Sequence, residues 1–139
     1  MTSTDTHPPA AEVLTTVPTG LFIGGVWRPA DDGATFAVDN PATGQVIAHV
    51  SDAGITDAQA AVDAAAAAQA DWAATSPRHR ADILRRAYNL LLQRADDLAL
   101  VMTSEMGKPL AEARGEVTYA AEFFRWFSEE AARIDGSYG

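Results

Sequence analysis

Several groups of residues in this chain have types that could do chemistry, and in each case the spacing argues for a plainer role. Histidine, the usual general base and metal ligand near neutral pH, occurs at His7, His49 and His79. These positions are too scattered for any metal-ligand spacing. Serines and carboxylates for a nucleophilic triad are present, but no G-x-S-x-G elbow presents a serine and no histidine is placed beside one. Asp96-Asp97 and Glu129-Glu130 could supply an acid and a base. On a helix only residues three or four apart are neighbours, so adjacent carboxylates diverge and read as solvated faces. Arg78, Arg80, Arg85 and Arg86 could hold a phosphate, yet they spread around their helix. Gly24-Gly25 invites comparison with a phosphate loop, but G-x-G-x-x-G is absent. Gly20 and Gly25 have the spacing of G-x-x-x-x-G-K-[ST], with Val26 where the lysine should stand. Cysteine is missing altogether, which removes disulfides, thiolate metal sites and a cysteine nucleophile from these residues.

Composition narrows the partners. The formal net charge is −9, which argues against nucleic acid or an anionic membrane surface as a partner, since both call for basic patches. No apolar run approaches the ~20 residues of a spanning helix. Met1 to Pro18 has neither a basic start nor a continuous apolar stretch, so it is not a secretory signal. Residues 1–19 are expected to form a flexible leader, and the cytoplasm is the default compartment. Apolar residues make up 47% of the chain, but many are alanines. Fixing a residue's backbone costs roughly 1–2 kcal/mol, and small side chains bury little area in return. Such a core needs help from elsewhere.

Whatever chemistry these residues serve must be positioned by the following elements. Leu21-Phe22-Ile23 and Val26-Trp27 flank the Gly-Gly pair, the signal for a two-residue hairpin with positive φ in its turn. Thr35 to Val38 is a second strand, ended by the turn cluster Asp39-Asn40-Pro41-Ala42-Thr43-Gly44, and Gln45 to Val50 is a third. Together they predict a short antiparallel meander over roughly residues 20–50. After Ser51 the apolar period changes from two to 3.6. Thr56 and Gln59 have capping-box spacing, and Ala58, Val62, Ala65, Gln69 and Trp72 share one helical face. Ser76-Pro77 starts a second helix, with Leu84, Ala87, Leu91, Leu98 and Val101 on its apolar side and an irregularity near Asp96-Asp97. Met106-Gly107-Lys108-Pro109 ends it.

A third helix, about Leu110 to Ile134, is apolar on two sides. Val117, Ala120, Phe124, Phe127, Ala131 and Ile134 predict one buried face. Gly115, Tyr119, Phe123 and Trp126 line another. A helix apolar on two sides must be covered on two sides, and the remaining residues cannot do it. The missing cover is expected to be further protein or another chain.

Taken in order, five stretches resemble the N-terminal region of the NAD(P)-dependent aldehyde dehydrogenases. They are 21–27, 36–44, 61–65, Arg80-Ala81-Asp82-Ile83-Leu84-Arg85 and Glu105-Met106-Gly107-Lys108-Pro109-Leu110. The blocks 107–113, 115–117, 119–121, 126–131 and Arg133-Ile134 look most similar to the succinate-semialdehyde dehydrogenases of that family. The resemblance implies an α/β fold, of which residues 20–139 would be an incomplete N-terminal portion: a short β-meander followed by three α-helices, cut before the Rossmann core and the catalytic domain. It implies that the complete enzyme oxidises a small-molecule aldehyde, with hydride passing to NADP or NAD after attack by a cysteine thiolate, and that it is a homo-oligomer. The family's cysteine, general-base glutamate, oxyanion asparagine and cofactor loop have no counterparts here.

Two supporting roles are also implied. Gly115 and Tyr119 match positions on the wall of the aldehyde entry tunnel, with Phe123 one turn further along the same stripe. Glu105 matches the carboxylate of a structural monovalent-cation site, with backbone carbonyls near Val38 and Asp39; hard cations favour such oxygen ligands. From the residues by themselves a different class stays open, a stand-alone helical interaction module whose final helix docks on a partner enzyme.

Overall fold

The computed structural model describes residues 10–134. His7 and the segment Gly136 to Gly139 lie outside the described residues.

The chain opens with α1 (Ala10–Thr15) and then forms two hairpins, β1 (Leu21–Ile23) with β2 (Val26–Arg28) and β3 (Thr35–Asn40) with β4 (Gln45–Ser51). Four further helices follow: α2 (Ile55–Ala74), α3 (Pro77–Gln93), α4 (Ala95–Met106) and α5 (Leu110–Glu130), with a 3₁₀ turn at Ala131–Arg133. Part of the leader expected to be flexible is therefore helical. Val13 of α1 is buried and α1 packs against α4, so an apolar contact orders the stretch.

The expected meander is instead two separate two-stranded sheets. Ile23 pairs with Val26 across Gly24 (φ 60°) and Gly25 (φ 85°), as a primed two-residue turn requires. After β2 the chain does not fold back on that hairpin. Pro29 offers no N–H to a ladder, and a turn closed by Gly33 N–H on the Ala30 carbonyl (2.9 Å) carries it away over a buried Ala30. Ser51 N–H, ending β4, donates to the carbonyl of Thr19, just before β1, at 2.9 Å.

Ser76 caps α3 by accepting from His79 N–H at 3.2 Å, with Pro77 in the first turn as expected. The single long second helix is broken into two. Arg94 (φ −107°, ψ 17°) ends α3 and starts α4, close to the expected irregularity, and Asp96 and Asp97 fall in α4's first turn, where the helix dipole favours them. The break lets α3 and α4 each pack on α5 while barely touching one another.

The core is small: Ala99, Ala113 and Val117, flanked by Ala95, Leu98, Met102 and Leu110. On α5 the buried side chains are Ala113, Val117, Ala121 and Ser128, which differ from the expected face except at Val117. Phe124 and Phe127 are 38% and 54% exposed. Small residues let α5 approach α3 and α4 closely, which leaves the phenylalanines at the margin. The face expected for α2 also stays open, with Val62 and Trp72 exposed.

Gly107 caps α4 in the left-handed region (φ 73°), and a Cβ there would stand 3.1 Å from Pro41 Cγ of the β3–β4 turn. Strain and crowding act together. Gly107→Ala should lower stability by about 1–2 kcal/mol in urea titration, whereas Gly33→Ala, strained but with open space, should cost about 1 kcal/mol.

Candidate functional site

The open side of α5 carries the aromatic residues expected to line a tunnel. Gly115, Tyr119 and Phe123 follow one another at four-residue spacing, and Tyr119 meets Phe123 edge to face with ring centroids 5.1 Å apart. Tyr119 is 68% exposed, and space for a Cβ on Gly115 is empty to 4 Å. With Trp126 and Phe127, the two rings line an open hollow of about 410 Å³. Glu122 and Arg125 form its polar edge and satisfy each other through an ion pair at 2.6 Å. The hydrogen bond that Arg125 donates to Glu122, with the charges of Glu122 and Glu129, raises the Arg125 pKa above its usual value. The surface is apolar with one phenol and no nucleophile, so it can pack or guide a molecule but not transform one.

Of the carboxylates read as solvated, Asp96 and Glu129 are exposed but paired across helices, while Asp97 and Glu130 are half-buried. Asp96 accepts from Arg114 of α5 at 2.6 Å, and Glu129 accepts from Arg85 of α3 at 3.1 Å. Such exposed pairs contribute at most about 1 kcal/mol each. Lys108 also pairs with Glu116.

Val38 and Asp39 sit at a bulge of β3, where Val38 pairs with Ala48 and Asp39 with Val46. The C-terminal end of α4, which carries the exposed Glu105, rests on the same hairpin through Gly107 and Pro41. Among the described residues no cluster of three or more His, Asp or Glu side chains could hold a metal, so any cation here would depend on backbone oxygens. A dinucleotide fits these residues poorly. Strand runs directly into helix once among them, at β4–α2, and that helix N-terminus carries Asp57 with its carboxylate on the Gly54 N–H, where a pyrophosphate would be repelled.

Residues 27–138 match the family described as the aldehyde dehydrogenase family. The chain belongs to the aldehyde dehydrogenase family. Human mitochondrial succinate-semialdehyde dehydrogenase is 49% identical over 118 residues, 85% of this chain and 22% of that protein. Glutarate-semialdehyde dehydrogenase of Pseudomonas aeruginosa is 48% identical over 115 residues, covering 83% and 24%. The crystal structure of an aldehyde dehydrogenase from Brucella melitensis biovar abortus superposes with a TM-score of 0.85 at 44% identity, over 99% of this chain and 27% of that one. This aldehyde dehydrogenase chain thus spans about a quarter of the length of the relatives it matches.

One feature of this aldehyde dehydrogenase segment escaped the reading of motifs. The start of α2 is not organised by Thr56 and Gln59. Gly54 is the N-cap, and Asp57 three residues on receives its N–H at 3.1 Å. Glycine has no side chain, so only this return half of a capping box is made. An acid three residues after a glycine that precedes a helical run was the available signal.

Proposed function

We propose that these residues are the N-terminal part of an NADP- or NAD-dependent aldehyde dehydrogenase that oxidises succinate semialdehyde, or a closely related semialdehyde, to the acid. The observation that carries the reading is near-equal identity to succinate- and glutarate-semialdehyde dehydrogenases, at 49% and 48%. Both names describe a short aldehyde whose far end is a carboxylate. The described residues supply neither nucleophile nor dinucleotide cradle, so the remaining three quarters of the enzyme would supply both. NADP or NAD, when bound there, accepts the hydride. This segment's contribution is a wall of the aldehyde passage at Gly115, Tyr119 and Phe123. A monovalent cation held by Glu105 with the Val38 and Asp39 carbonyls would brace the α4–hairpin junction. The complete enzyme is taken as a cytoplasmic homo-oligomer. No helix among the described residues is long and apolar enough to cross a membrane.

The test is the protein encoded by the complete reading frame. Its kcat/KM for succinate or glutarate semialdehyde should exceed that for propanal by about tenfold or more, the order expected when a substrate carboxylate has a built partner. Equal values for all three would overturn the substrate assignment. In the same protein Tyr119→Ala should change the aldehyde KM or kcat by about threefold to tenfold, a loss of packing worth roughly 1 kcal/mol, while the cofactor KM stays constant. An unchanged aldehyde profile would make the stripe a packing surface instead.

A further inference from the structure

Among the described residues Asp57 is the one large side chain that is fully buried, at 1% exposure. Its carboxylate gathers donors from three separate places. Arg28 Nη2 at the end of β2 donates to Oδ1 at 2.8 Å, Asp31 N–H in the following loop reaches both oxygens at 3.2 Å, and Gly54 N–H at the helix N-cap donates to Oδ2 at 3.1 Å. Strand, loop and helix therefore converge on one charged group. Hydrogen bonds to an ionised acceptor are about twice as strong as neutral ones, and an acid in a first helical turn also meets the positive end of the dipole.

Among the described residues little else holds α2 in place. The helix is 20 residues long, and Asp57 is the only one of them that is buried. Ile55 and Val62 are 91% and 62% exposed, and Ala60 and Ala64 are the only half-buried members. Along the helix, Ala64 faces the first hairpin turn, where a Cβ on Gly24 would lie 4.0 Å from Ala64 Cβ. Contact between a methyl group and a glycine buries little apolar surface, so burial against the other described residues does little to fix a helix of this length. The closed arrangement also leaves Arg28 Nε buried without an acceptor, an unmet donor that opening would return to water.

We propose that the Asp57 carboxylate is a latch joining α2 to the first hairpin and its loop. When it opens, residues 28–34 and α2 are released together, while α3, α4 and α5 stay closed. This follows from the division of contacts: α3–α5 and α4–α5 are the extensive helix pairings, and α2 takes part in neither. The latch is independent of the aldehyde passage, so its failure would leave the enzymatic reading untouched.

Hydrogen exchange read by mass spectrometry on the 139-residue chain, at low concentration, tests it. Asp57→Asn keeps the shape but removes the charge that binds Arg28. Amides of residues 28–34 and 55–74 should exchange at least about tenfold faster, the factor expected for losing one charged hydrogen bond, with α3 to α5 unchanged. Arg28→Gln retains the Asp31 and Gly54 bonds and should loosen the same two segments by a smaller factor. Equal acceleration in α3 to α5, loss of protection throughout either variant, or unchanged exchange in α2 would overturn the latch.

Discussion

Purified on its own, the 139-residue chain should reduce neither NADP nor NAD with succinate semialdehyde, to the background of the assay. The expected loss is total, against rate enhancements of at least about a millionfold that enzymes ordinarily provide. Three observations converge on it. The sequence contains no cysteine, so no thiolate can attack the carbonyl. The N-terminus of α2 presents Asp57 where a pyrophosphate would need bare N–H groups. The candidate substrate surface on α5 offers rings and one satisfied ion pair. Mixing with a separately expressed remainder of the enzyme should restore turnover if the two parts can dock. Aldehyde-dependent cofactor reduction that co-purifies with the short chain in the absence of that remainder would refute the assignment of all chemistry to other residues.

What the sequence made legible was local. Gly24-Gly25, Ser76-Pro77 and Gly107 each fix a backbone turn by their own chemistry and form as expected, whereas the turn expected over Asp39 to Gly44 begins later, because Asp39 and Asn40 stay paired in β3. The family was legible too, because ordered blocks of residues carry more information than periodicity. Tyr119 and Phe123 do lie together on one side of α5, as the four-residue spacing implies. Packing was much harder to read. Periodicity cannot distinguish a face that is buried from one that is merely apolar, and α5 is apolar on more than one side. The small residues Ala113, Val117 and Ala121 won the core because close approach of three helices excludes rings. The meander failed for a similar reason: strand signals say nothing about which strands pair, and the loop through Pro29 and Gly33 decided that. Asp57 was hidden because its partners, Arg28 and Asp31, lie 29 and 26 residues away.

The second large effect concerns association. The isolated chain should bind hydrophobic dyes and self-associate, with a sedimentation coefficient that rises with concentration, whereas the complete enzyme should show neither dye binding nor such drift. Tyr119, Phe123, Trp126 and Phe127 all lie around 50% exposed or more on one side of a single helix. Full burial of such a side chain contributes roughly 1.5–3 kcal/mol, so covering four half-exposed rings contributes several kcal/mol to any surface that fits them. Whole domains are stable by only about 5–15 kcal/mol, which makes that gain a strong drive towards contact. The internal core of Ala99, Ala113 and Val117 lies on the other side of α5, against α4, and does not use these rings. Replacing Phe123 and Trp126 by serine should therefore reduce dye binding and association severalfold while changing the unfolding midpoint little. Val117→Ala should do the reverse, lowering stability by about 1 kcal/mol or more through the cavity it leaves while leaving dye binding by the folded chain in place. A wild-type chain that stays monomeric over a wide concentration range and ignores the dye would mean that these rings close on one another in solution. The stand-alone module would then become the better account of α5.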